Sequence, residues 1–252
     1  MPAEKPTSTM RSLERAIDVL EVLDRTHQAV RLSDIARQAG LPVATTQRIL
    51  NVLEARGRVE RDATGYRPGI GMIFGAHAYL TTSPLLVAAH PVLADLAAET
   101  GLTASLFRRH DRSRIVLARS PGKRPLRYEL PVGERLPLHL GAGKVLLAHM
   151  EAPEVDALLD EIGDHVLASG AGVSPDQLRD ELGRIRERGF SEARNEREPG
   201  MASIAAALPA PGDGPHVAVQ VAGLIDDIPP DRVEGLGVEV RRAAYAITRR
   251  LA

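Results

Sequence analysis

The sequence predicts an α+β protein: an N-terminal winged helix-turn-helix domain, then a domain built as an antiparallel sheet with flanking helices. Three observations predict it. Residues 41–53 read as a helix with two different faces. A short helix and a glycine stop precede that stretch, and a strand-turn-strand follows it. Beyond residue 100, strand-like runs come in pairs around turn residues, with helical runs before and after, which is the α+β pattern.

The first nine residues are polar and contain proline, so 1–9 is expected as a disordered lead-in with no signal-peptide character. Ser12 to Asp24 repeats Leu13, Ala16, Ile17, Leu20 and Leu23, an amphipathic helix. The next helix has Leu32, Ile35, Ala36 and Ala39 as its stripe, Ser33 as N-cap and Gly40 as its stop. In the third, Pro42 suits the first turn, and Thr46, Ile49, Leu50 and Leu53 make an inward stripe. Ala44, Gln47, Arg48 and Asn51 repeat the same spacing on the other side. That face carries no carboxylate, and Asn, Gln and Arg are the side chains that pair with base edges; a merely solvated face would look similar. Arg58–Arg61 and Tyr66–Pro68 around Asp62-Ala63-Thr64-Gly65 form the hairpin that would be the wing.

The winged domain is expected over 10–68, a semi-rigid helical linker over 69–84 and the second domain over 85–252. Ser83-Pro84 caps a helix carrying Leu86, Ala89, Leu93 and Leu96, with a kink or break expected at Pro91. Thr103–Arg108 and Arg114–Arg119 read as strands around Asp111-Arg112-Ser113, and Leu126–Leu130 as a third. A helix follows the Gly141–Gly143 turn, and others cover 153–162 and 175–188. Gly189–Glu192 leads into a short strand. Met201–Leu208 and His216–Val221 are strands around a Pro211–Pro215 turn, and Asp231–Leu251 closes the chain as a helix.

Ser12–Leu20, Leu41–Gly57 and Tyr66–Gly69 resemble the DNA-binding domain of IclR-type transcriptional regulators. Leu136–Ala148 is similar to the most recognisable segment of that family's effector domain, and Glu198–Ala206 to a third segment. The order and spacing agree from about residue 10 onward. The resemblance implies a GAF-like effector domain, a small-molecule effector bordered by the Gly141 loop, and homodimers, often homotetramers. Many members carry a hydroxyl residue in that loop; this chain has none, so the contact would fall to backbone.

Composition narrows the alternatives. The chain has 252 residues, 44% apolar and 26% charged, with a formal net charge of −1, ordinary values for a globular protein. Residues 1–68 hold 11 Lys+Arg against 9 Asp+Glu, so any DNA contact depends on where arginines are placed. There are no cysteines, which excludes disulfides and thiolate metal sites, and no apolar run approaches the ~18 residues of a membrane span. Cytoplasm is the expected location. The eight histidines lack zinc-motif spacing, no Ser sits in G-x-S-x-G, and no catalytic set emerges, so no metal, cofactor or catalytic residue is expected.

Gly141-Ala142-Gly143-Lys144 is not a phosphate loop: position 138 is Leu and 145 is Val where glycine and Ser or Thr are required. It reads either as a plain turn or as a cavity wall whose open amides at a helix start suit a carboxylate. Met201 and Ser203 share a face with Ala205 and Ala207, small enough for a packed helix or a ligand. Glu196 and Glu198 could be polar ligand contacts but read first as surface carboxylates.

The expected function is a DNA-binding regulator whose operator affinity answers to a small organic effector, with a carboxylate favoured. Ala44, Thr45, Gln47, Arg48 and Asn51 would contact double-stranded operator DNA, and Thr64 and Arg67 its phosphates. Gly141, Ala142, Gly143, Met201 and Ser203 would line the effector site. The competing classes are a small-molecule enzyme with an appended DNA-binding domain and a protein-binding winged domain.

Overall fold

A computed structural model describes residues 8–124, 130–209 and 216–251. The chain divides into two compact units, Met1–Thr81 and Thr82–Ala252.

The first unit holds α1 (Ser8–Asp24), α2 (Leu32–Gln38), α3 (Val43–Ala55), the hairpin β1 (Val59–Arg61) and β2 (Tyr66–Pro68), and α4 (Gly71–Thr82). Its core is Val19, Val22, Leu23, Ile35, Leu50, Val59 and Tyr66. The inward face of α3 is as expected: Thr46 and Leu50 are fully buried. On α1 the stripe holds only at its C-terminal end, because Leu13 and Ile17 are exposed. Ser33 lies inside α2 rather than capping it, and Arg31 occupies the cap without a side-chain bond. Pro42 sits one residue earlier than expected, at the N-cap of α3, where its carbonyl accepts the Thr46 hydroxyl. Helix α1 starts at Ser8, four residues before the expected start; residues 1–7 lie outside the described part.

The wing is fastened to the core. Val30 exchanges two backbone hydrogen bonds of 2.8 Å with Tyr66. A side chain at Gly65 would collide with the Val30 carbonyl, and φ there is +153°, so the turn depends on glycine. Asp62 closes the turn by accepting from the Thr64 N–H and hydroxyl and the Gly65 N–H.

The second unit holds α5 (Pro84–Thr100), β3 (Thr103–His110), β4 (Ser113–Ser120), β5 (Arg135–Pro137), α6 (Gly143–Leu147), α7 (Ala152–Ile162), β6 (His165–Val166), β7 (Gly172–Val173), α8 (Pro175–Arg188), β8 (Ser191–Arg194), β9 (Met201–Ala207), β10 (Val217–Leu224) and α9 (Val233–Leu251). Six strands form one sheet in the order β5-β4-β3-β10-β9-β8, antiparallel throughout. Helices α5 and α9 pack on its strands and on each other, while α6, α7 and α8 build a second core with Phe107, Val116, Ala205 and Ala218. This is the α+β plan expected, a curled antiparallel sheet with flanking helices.

Helix α5 runs through Pro91 without the expected break. Val87, four residues earlier, is exposed, so the carbonyl that loses its partner can be hydrated. Ser83 stands at the N-cap of α5 but makes no side-chain cap bond. The expected strand at 126–130 falls mostly outside the described residues; the edge strand β5 lies further on, at Arg135–Pro137. The Pro211–Pro215 turn is also outside them. No single helix among the described residues is long and apolar enough to cross a membrane.

Candidate functional site

Each unit carries one candidate site. In the first it is the outer face of α3 with the adjoining wing. Ala44, Arg48 and Asn51 are exposed, and Thr45 and Gln47 partly so. Arg48 makes no hydrogen bond or ion pair among the described residues, so its guanidinium is available to a partner. Gln47 is held: its Nε2 donates to Asn51 Oδ1 at 2.7 Å and to the Tyr66 hydroxyl at 3.0 Å. The wing residues are less available than the sequence suggests. Arg67 is bracketed by Glu60 at 3.4 Å and Asp62 at 3.2 Å, and the Thr64 hydroxyl is donated to Asp62. A phosphate at that place would meet two carboxylates first.

The second site is a cavity of about 80 Å³ on the sheet. Its floor is two rows of directly opposed residues. One row runs Arg119–Ser105–Gln220, the other Thr103–Ala222–Ser203–Ala193. Above them stand Arg114, Leu130, Leu140, Gly141, Glu196, Arg197, Glu198 and Met201. Arg114 and Arg119 are five residues apart on β4 and would face opposite sides of a regular strand. Between Leu106 and Phe107 the partner jumps from Ala118 to Val116, so Leu117 is an extra residue, and this bulge brings both arginines to the cavity side.

Arg114 is 3% exposed. One guanidinium nitrogen donates to the carbonyls of Pro137 and Leu140, and Nε has no partner among the described residues. Burial first, then the positive charge of Arg197, lower its pKa to about 9, and Glu196 partly offsets this. His139 is held at about 4 by burial, by His165 with ring centroids 4.8 Å away, and by Arg114.

The Gly141 turn differs from its sequence reading. The Gly141 N–H donates to Glu196 Oε2 at 2.7 Å and the Ala142 N–H to Gln220 Oε1 at 3.2 Å. The Gly143 and Lys144 N–H groups bond back to Leu140 and Gly141. No amide of the turn is left open, because the protein supplies its own carboxylate. Gly141, Met201 and Ser203 line the cavity; Ala142 and Gly143 do not, being buried against the α6 core and Leu138. On β9 the two readings of the small face are divided along its length: Ala205 and Ala207 pack in the α6–α8 core, while Met201 and Ser203 border the cavity. Glu196 is not a surface residue: its side chain is 11% exposed and paired with Lys144, itself fully buried between Glu196 and Glu181.

Sequence reasoning missed Arg114, Arg119 and Gln220. A glutamine inside the otherwise apolar run Val217–Leu224 was the available signal. Nothing in the spacing of the two arginines announces a bulge.

An exposed polar helix beside a wing, joined in one chain to an α+β unit with a cationic cavity, is an arrangement suited to a DNA-binding transcriptional regulator. Two family models match, the IclR helix-turn-helix domain over residues 12–63 and the bacterial transcriptional regulator IclR C-terminal domain over residues 77–249. The chain is 31% identical to the transcriptional repressor IclR of Escherichia coli K12 over 255 residues, covering 96% of this chain and 90% of that one. Among solved structures, a regulator from Silicibacter superposes with a TM-score of 0.81 at 25% identity, covering 95% of this chain and 96% of that one. An IclR homologue from Microbacterium hydrocarbonoxydans, complexed with 4-hydroxybenzoate, gives 0.74 at 24%, covering 95% and 98%. The chain belongs to the IclR family of transcriptional regulators.

Proposed function

We propose that this protein is a repressor-type regulator whose affinity for a double-stranded operator is set by a small carboxylate effector held in the Arg114 cavity. The observation that carries the effector reading is the buried Arg114 guanidinium lining the cavity, whose Nε–H has no partner among the described residues. A buried donor left without a partner costs roughly 1–3 kcal/mol, and an anion toward which the guanidinium turns would recover part of that cost. Arg114, Arg119 and Arg197 with the adjoining Lys144 stand against Glu196, Glu198 and the Lys144 partner Glu181, a surplus of one positive charge. One negative charge is therefore welcome there. The relative complexed with 4-hydroxybenzoate, itself a carboxylate, supports the same ligand class. Relatives that are repressors support regulation over turnover.

On the DNA side, Arg48, Asn51, Gln47, Thr45 and Ala44 meet base edges and neighbouring backbone, while Thr64 and Arg67 make at most peripheral phosphate contacts. A homodimer on paired half-sites, with a tetramer as its doubling, fits the exposed apolar side chains of the first unit, Met10, Leu13 and Ile17 on α1 and Ile73 and Phe74 on α4.

The test has two parts. Selection from a randomised duplex library yields the operator. Calorimetry with short aliphatic and aromatic carboxylates, each beside its uncharged amide, then finds the effector. Binding of a carboxylate but not its amide, lost in Arg114→Gln, is expected. Binding undiminished in Arg114→Gln would remove the cavity from the account.

A further inference from the structure

The wing is hydrogen-bonded to the outer face of α3. Tyr66 is 3% exposed, with its ring in the core of the first unit and its backbone bonded to Val30. Its hydroxyl emerges under α3. There it accepts from Gln47 Nε2 at 3.0 Å and donates to Gln47 Oε1, the other atom of the same amide, at 3.3 Å. Gln47 Nε2 also donates to Asn51 Oδ1 at 2.7 Å, one helical turn on.

An amide nitrogen carries two hydrogens. Gln47 spends one on Asn51 and one on Tyr66, and one lone pair of its oxygen takes the Tyr66 hydroxyl hydrogen, so toward solvent it presents only the second lone pair of its carbonyl oxygen. Asn51 has used its oxygen as an acceptor and presents its own Nδ2 hydrogens. A lone glutamine reads adenine with both ends of one amide, accepting from N6 and donating to N7. Gln47 has no donor left for that.

We propose that Tyr66 is a positioning residue for sequence recognition: it fixes Gln47 as a hydrogen-bond acceptor, and Gln47 with Asn51 then reads the operator as one acceptor and one donor on adjacent positions. The base facing Gln47 offers a major-groove donor, cytosine N4 or adenine N6. The base facing Asn51 offers an acceptor, such as guanine O6 or N7 or thymine O4. The proposal rests on α3 being the recognition helix and adds which hydrogen-bonding pattern it selects.

The experiment is selection of full-length protein on a randomised duplex library, followed by competition binding on single-base variants of the selected site. Wild type should enrich a donor base beside an acceptor base in each half-site. Tyr66→Phe keeps the ring and frees one Gln47 hydrogen. Discrimination at the Gln47 position should fall about tenfold, the size of one good base contact, while affinity for the best site changes by less than about threefold. In a Gln47→Ala background the same change should have no further effect on discrimination. Asn51→Asp, on the surface and harmless to the core, retains the acceptor for Gln47 but loses the donor; it should relax only the neighbouring position. If wild type enriches no sequence, the DNA-reading role of α3 itself fails. If wild type enriches a site and Tyr66→Phe or Asn51→Asp returns an unchanged profile, the positioning proposal fails while that role stands.

Discussion

In the first unit the candidate working side chains point away from the core that holds them; in the second they point into it. Helix α3 buries Thr46 and Leu50 and turns Arg48 and Asn51 outward, so one helix separates packing from contact. In the second unit the same sheet face supplies both. Ala205 on β9 belongs to the α6–α8 core, and Ser203, two residues earlier, borders the cavity. A surface site tolerates change in its functional residues because they carry little of the fold. An internal site does not: Glu196 and Gln220 both line the cavity and hold the Gly141 turn, and Lys144 holds Glu196.

The largest effect separates the two units. Leu50→Asp places a carboxylate without a partner at a fully buried position, a cost of several kcal/mol, at least ~4 with the lost packing. The first unit should unfold, and limited proteolysis should leave a resistant fragment beginning near Thr82. Uniform digestion of the whole chain would break the comparison, since it requires two independent cores.

Next in size is Lys144→Met, which strands Glu196 and Glu181 on either side of an apolar side chain. Removing one partner of a buried charge network costs roughly 3–5 kcal/mol. The loss should appear only in the second unit's melting transition, and adding Glu196→Gln should recover part of it. A variant as stable as wild type would show that the network is solvated in a way its burial contradicts.

Arg48→Ala probes the outward face. The expected loss is ~1–3 kcal/mol of operator affinity with relaxed preference at one position if the guanidinium reads a base. Melting temperature should be unchanged, because the side chain is exposed and makes no hydrogen bond or ion pair among the described residues. Unchanged affinity with an intact fold would take Arg48 out of the interface.

The smallest effect concerns His139. Held at about 4, it is neutral in the folded state, whereas an unfolded imidazole titrates near ~6.5. Between those values the unfolded chain binds more protons. Stability of the second unit is therefore fully present above about 6.5 and falls as pH drops toward about 4. His139→Asn should have a shallower loss of melting temperature between pH 7 and pH 5 than wild type. Parallel slopes would show that other groups carry the acid sensitivity.

The contrast also explains what could be read in advance. The face of α3 was legible because helical periodicity is local: residues 44, 47, 48 and 51 are neighbours in any helix that buries 46 and 50. The strand pairs and most helices were legible for the same reason. The cavity was legible only where it touched the Gly141 loop, Glu196 and Glu198, and the Met201 strand. Its central cation depends on a bulge at Leu117 and on the register that sets Ser105 opposite both Arg119 and Gln220, and neither follows from spacing along one strand. The open amides inferred for Gly141 and Ala142 failed for a related reason. Their acceptors, Glu196 and Gln220, lie 55 and 78 residues away. Within the first unit the same limit applies to Gln47, whose partner Tyr66 comes from the wing.

The central claim is that a carboxylate seated at Arg114 controls operator affinity while contributing nothing to the DNA contact itself. The most direct measurement is fluorescence anisotropy on the selected operator, with wild type and Arg114→Gln, each with and without the carboxylate found by calorimetry. Wild-type affinity should shift by at least about fivefold, the lower end of allosteric couplings of ~1–3 kcal/mol. Arg114→Gln should bind the operator as tightly as ligand-free wild type and should not respond. A full response in Arg114→Gln, or loss of its ligand-free operator binding with the second unit still folded, would contradict the account.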